Sequence, residues 1–192
     1  MLTRLFAGNR RKDAAQALYA GIVAQARRPA FYSGCGIPDT LDGRFELVVL
    51  HAFLVLQRLK RDREASAEFA QSLFDVLFQD MDVSLRELGV GDLGVGRRVK
   101  AMAQGFYGRI AAYEAGLEQG EETLVEALRR NLYGTVDPGG TELRAMADYL
   151  IREAAGLAAQ DLDGLMSGRL IFGAPPAVAL AAKAPTPARR SE

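Results

Sequence analysis

The sequence predicts an all-α fold, a single-domain bundle of about six to seven helices. Three observations predict it. Apolar residues recur at steps of three and four over long windows, the spacing of one helix face. Between those windows stand clusters of Gly and Pro, with no β-hairpin signal and no internal repeat. The length, 192 residues, suits one domain with tails.

The elements follow in order. "KDAAQALYAGIVAQARR" carries Ala15, Leu18, Ile22, Val23 and Ala26 on one face. Asp13 favours its start, Arg27 and Arg28 favour its end, and Pro29 stops it. "PAFYSGCGIPDTLDGRF" is the main non-helical stretch, punctuated by Pro29, Gly34, Gly36, Pro38 and Gly43. Phe45 to Lys60 reads as a helix apolar nearly all round, hence central and buried. "REASAEFAQSLFDVLFQDM" puts Phe69, Leu73, Val76 and Leu77 on one face. Gly89 and Gly91 break the chain, and Asp92 is placed to cap the next helix. That helix has the clearest stripe: Val95, Val99, Met102, Phe106, Ile110, Tyr113 and Leu117. A shorter helix covers Glu121 to Tyr133, closed by Gly134. A turn at Asp137-Pro138-Gly139 precedes the last long helix, with Thr141 as its expected N-cap. The domain is expected over residues 12–172. It is preceded by a basic, flexible N-terminus, residues 1–11, and followed by a disordered Pro/Ala-rich tail, residues 173–192.

Composition excludes several functions. Lys and Arg number 24 and Asp and Glu number 24, so no global field draws the chain to DNA or to an anionic membrane. One cysteine, Cys35, allows neither a disulfide framework nor a Cys-based zinc site, and one histidine, His51, excludes a His-rich centre. His51 lies inside the apolar run "LVVLHAFLVL" and reads as a core histidine. That ten-residue run is too short to cross a bilayer. The chain is therefore expected to be cytoplasmic, with at most peripheral contact at the inner membrane and no cofactor.

The dense acids around "FQDMDVSLRELGVGD" raise an enzyme alternative, a metal-dependent site on Asp75, Asp80 and Asp82. The spacing speaks against it. Residues two apart on a helix splay by about 200° and do not face one ligand. Asp82 and Arg86 are spaced instead as an ordinary i, i+4 ion pair. "GVGDLGVG" lacks the Lys-Ser/Thr of a phosphate loop. The following helix opens with Arg97, Arg98 and Lys100, where positive charge opposes the helix dipole. Those cations give a second alternative, a ribosome- or RNA-binding module. The same helix holds Gly105 and Gly108, read as points of close helix packing, or else as part of a client groove.

Several long motifs carry a resemblance. "PDTLDGRFELVVLH", "AQSLFDVLFQDMDVSLRELGVGDLGVGRRVKAM" and "FYGRIAAYE" resemble the ubiquinol–cytochrome c chaperone family, and "YAGIVAQARRPAFY" resembles its opening. The resemblance implies an all-α, non-enzymatic assembly factor, here read as a bacterial relative. Its client would be newly made cytochrome b or another membrane protein, with a small assembly partner or the ribosome alongside. The client-facing residues are then expected among Asp75, Asp80, Asp82, Arg86, Glu87, Arg97, Arg98, Lys100, Tyr107 and Arg109.

Overall fold

Helix α3 (Leu41–Lys60) is the axis of the molecule. Its middle, residues 47–56, is apolar nearly all round and buried to match: Leu47, Val49, Leu50, Phe53, Leu54 and Val55 all lie inside. Such a helix needs neighbours all round. They are α1 (Leu2–Ala26), α4 (Arg63–Glu87), α5 (Asp92–Gln119) and α7 (Gly140–Ala158). Three shorter segments complete the chain: α2 (Pro29–Ser33), α6 (Glu121–Asn131) and α8 (Leu162–Met166). The computed structural model describes residues 2–87 and 92–178, without the side chains of residues 2–7, 85, 92, 93 and 98. Among the described residues there is no strand, and the all-α expectation holds.

Helices α1 and α4 lie side by side and run the same way. Arg11 pairs with Glu68, and Tyr19 with Asp80, so both chains advance together. The predicted stripe of α5 faces inward: Val95, Phe106 and Tyr113 are buried, and Val99, Met102, Ile110 and Leu117 are half-buried.

The corner before α3 depends on one glycine. A Cβ at Gly43 would lie 2.0 Å from the carbonyl oxygen of Pro38. Thr40 caps the helix by accepting a 3.2 Å hydrogen bond from the Gly43 amide. This is why α3 begins at Leu41, four residues ahead of the expected Phe45.

Other expectations need correction. The basic N-terminal residues continue α1, which starts at Leu2, because nothing in the sequence breaks the helix before Asp13. The N-cap of α7 is Gly139, with Thr141 inside the first turn. The boundary at Phe172 falls short, because residues 173–178 form a strap, Gly173 and Ala174 on α1 and α7 and Pro176 and Val178 beside Cys35 and Gly34. Gly173 donates its amide to Glu153 (2.7 Å) and accepts from Gln25 (2.8 Å), while Ala174 accepts from Arg152 (2.5 Å). The expected cap by Asp92, the breaks at Gly89 and Gly91 and the tail beyond Val178 lie outside the described residues.

The glycines of α5 act differently from expectation. A Cβ at Gly108 would meet nothing within 4 Å, and one at Gly105 would meet only the Arg109 guanidinium. The close approach is at Gly116, where a Cβ would lie 2.7 Å from the Leu124 Cα. Gly116 is what lets α6 fold back onto α5.

Candidate functional site

A groove of about 670 Å³ opens where the end of α1, the start of α3, the second half of α4, the middle of α5 and the end of α6 converge. Its floor is apolar: Leu41, Phe45, Val48, Met81, Met102 and Leu132. Leu41, at the edge of this floor, is 60% exposed and so open to contact. The two methionines suit a floor that must adapt, since an unbranched thioether repacks easily.

Charges of both signs form the rim. Arg109 of α5 grips Glu46 of α3 through two hydrogen bonds, Nε to Oε2 at 2.6 Å and Nη2 to Oε1. Burial pushes the Glu46 carboxyl up, and the Arg109 guanidinium opposes that push. The open space beside Gly105 is what admits this guanidinium. Tyr19 of α1 donates to Asp80 of α4 at 2.7 Å, and Arg44 is held by Asp39 at 2.6 Å. Arg27 and Arg130, each near the C-terminal end of its helix, have no ion-pair partner among the described residues. The rim therefore offers two fixed ion pairs and two free guanidinium groups.

Of the ten residues expected at a client surface, the groove gathers Asp80 and Arg109. Asp75 is exposed and accepts from Gln71 at 2.7 Å. Asp82 and Arg86 form the predicted i, i+4 pair at 2.7 Å. Glu87, Arg97 and Lys100 are exposed, and the Arg98 side chain lies outside the described residues. Tyr107 is 60% exposed and stacks on Phe74 with ring centroids 5.8 Å apart. Asp75, Asp80 and Asp82 do not converge; no three potential metal ligands meet among the described residues. The sequence reading passed over Glu46, Arg44, Arg27 and Arg130. One signal was available: Asp42 and Glu46 stand one turn apart at the entry to an otherwise apolar helix.

The sequence model for "Ubiquinol-cytochrome C chaperone" matches residues 33–172, nearly three quarters of the chain. The chain belongs to the ubiquinol–cytochrome c chaperone family. The matched span holds every groove residue except Tyr19 of α1 and Arg27, which directly follows it. Ubiquinol-cytochrome-c reductase complex assembly factor 1 of Xenopus laevis is 24% identical over 164 residues, covering 84% of this chain and 81% of that protein. Its Homo sapiens counterpart is 23% identical over 142 residues, 74% of this chain and 48% of that protein, so the likeness spans about half of the human protein. Among solved structures, the Cbp3 homolog from Brucella abortus is 34% identical with a TM-score of 0.80, covering 91% of this chain and 97% of that one.

Proposed function

We propose that this chain is a non-enzymatic assembly chaperone for ubiquinol–cytochrome c reductase and that it binds newly made cytochrome b. The observation that carries the reading is the groove: an apolar, methionine-containing floor with a rim of both signs, in a family of assembly chaperones. A membrane-protein segment awaiting insertion presents an apolar surface with charged flanks. The floor would shield the apolar part and the rim would hold the flanks. No helix among the described residues is long and apolar enough to cross a membrane, so the client, rather than the chaperone, would supply the spanning segment. The charged face of α4 and α5, from Asp75 to Lys100, would form the outer flank of the same surface. A small assembly partner or the ribosome would meet the chaperone on another face.

Photo-crosslinking in the host tests this. A crosslinking side chain placed at Leu41 or Met102, within the groove, should capture cytochrome b. The same probe at Glu126, on the exposed face of α6, should not. Capture at Glu126 with none at the two groove positions would refute the groove as the client seat.

A further inference from the structure

Arg27 and Arg130 are rim cations of the client groove that pair with no acid among the described residues. We propose that they make the groove directional: they receive an acidic flank of the client segment, while its apolar part lies on the floor beyond them. This rests on the groove being the client seat. It adds the sign of the client's charge and the end at which that charge sits.

Local packing places the two cations. Arg27 directly follows α1, where the Tyr32 hydroxyl of α2 donates to the Ala26 carbonyl at 2.8 Å. Arg130 lies in the last turn of α6, and the Tyr133 hydroxyl just beyond it donates to the Cys35 carbonyl at 2.7 Å. Tyr32 and Cys35 belong to the stretch that leads into α3, so the ends of α1 and α6 are both fastened to it. Leu41, the exposed edge of the floor, opens α3 at the end of that stretch. The two guanidinium groups therefore border the Leu41 end of the groove.

The remaining rim charges are engaged or stand elsewhere. Glu46 gives both carboxylate oxygens to Arg109, and Arg44 is held by Asp39. Asp80, on the α4 side, accepts from Tyr19, which precedes Arg27 by two helical turns, about 12 Å. Asp42, exposed in the first turn of α3, offsets part of the positive charge. Arg27 and Arg130 each suit the dipole at the end of their own helix, but that effect is worth under about 1 kcal/mol and leaves a fork of N–H donors unused.

Such a fork takes a carboxylate through two parallel hydrogen bonds. A client flank bearing Asp or Glu gains them at the Leu41 end. A basic flank meets like charge there, and an acidic flank turned toward α4 meets Asp80. The apolar part between is thereby set in one direction over Phe45, Val48, Met81 and Met102. The pairs form at an exposed rim, so the selectivity is moderate and shrinks with salt.

The test is fluorescence anisotropy of the full chain with labelled peptides. They share the apolar body Leu-Ala-Leu-Leu-Ala-Leu-Ala-Leu and carry three Asp, three Asn or three Lys at either end. The acidic peptide should bind about ten-fold tighter than the Asn peptide with its flank at one end and not at the other, and the Lys peptide should bind weakest. Arg27→Gln combined with Arg130→Gln should cut the acidic peptide's affinity about ten-fold. Arg63→Gln combined with Arg144→Gln, an equal loss of charge on exposed residues outside the groove, should leave the preference in place. Equal binding of the three flanks, or a preference that survives loss of Arg27 and Arg130, overturns the directional reading. If Leu41→Glu still abolishes that binding, the groove stands as the client seat. Binding that Leu41→Glu leaves untouched, or no binding of any peptide, removes the groove and this proposal together.

Discussion

The Tyr149 hydroxyl lies 2.7 Å from Nε2 of His51, and both groups are fully buried. The other ring nitrogen, Nδ1, lies 2.7 Å from the Leu47 carbonyl oxygen, which can only accept. Nδ1 therefore carries the proton, and Nε2 accepts from Tyr149. Gln25 in turn donates to the Tyr149 oxygen at 2.9 Å. One chain of donors thus ties α1 and α7 to the central helix, with no polar atom left over on the imidazole.

That network makes stability depend on pH. Burial pushes the His51 pKa down from its ordinary 6.5 to about 4. The folded protein therefore holds a neutral ring at pH values where the unfolded chain takes up a proton. Stability is full above pH 6.5 and falls as pH drops toward 4, by about 3 kcal/mol in all. Denaturant melts between pH 7 and 5 should show this loss, and His51→Gln should flatten the slope. A parent slope identical to that of His51→Gln would contradict the assignment.

Tyr149→Phe isolates the hydroxyl. The ring contacts with Phe31 and His51 remain, but Gln25 and His51 each lose a partner inside the core. The expected destabilisation is about 1–3 kcal/mol by urea melts. A change under about 0.5 kcal/mol would show that the chain of hydrogen bonds contributes little.

The strap from Gly173 to Val178 makes a further prediction. It meets the buried Glu153 carboxylate and Gln25, and the Pro176 carbonyl lies 3.9 Å from the Cys35 sulfur. Burial raises the Cys35 thiol to about 11, so it should resist thiol reagents at neutral pH. Truncation after Phe172 should lower Tm by about 4–8 °C, equivalent to about 2 kcal/mol in a domain of this size, and should speed Cys35 labelling.

What the sequence reveals of this fold depends on whether the deciding physics is local. The α5 stripe and the buried α3 are legible because the 3.6-residue period and the apolar run declare them. The strap is not legible, because residues 173–178 carry no period, and Gly173 and Ala174 are held through their backbone by the side chains of Gln25, Arg152 and Glu153. Gly105, Gly108 and Gly116 look alike in the sequence, yet only Gly116 meets a neighbouring backbone. The groove is the hardest case. Asp80 and Arg109 stand out as charges near the longest motif, whereas Arg27, Glu46 and Arg130 join them only through helix packing.

The glycines offer a direct check on that difference. Gly108→Ala should stabilise the protein by about 0.5–1 kcal/mol, since the position is helical and open. Gly116→Ala should destabilise it by about 1–3 kcal/mol, because the new methyl meets the Leu124 backbone. Thermal melts of the two variants should move in opposite directions, and a stabilised Gly116→Ala would mean that α6 packs differently.

The client surface can be divided by two variants that leave the core alone. Leu41→Glu changes an exposed floor residue in the first turn of α3, where an acid is compatible with the helix dipole. Reversing Arg97, Arg98 and Lys100 together changes the start of α5, where Arg97 and Lys100 face solvent. Both proteins should fold and accumulate at parental levels. Leu41→Glu should abolish capture of cytochrome b and deplete assembled ubiquinol–cytochrome c reductase, because a carboxylate on the floor must be desolvated when an apolar segment docks. The triple reversal should lower the assembled complex by a smaller factor and make the loss salt-dependent, as an outer electrostatic flank does. Normal complex levels with the triple reversal would confine the client to the groove. Normal levels with Leu41→Glu would remove the groove from the mechanism and leave the α4–α5 face as the docking surface.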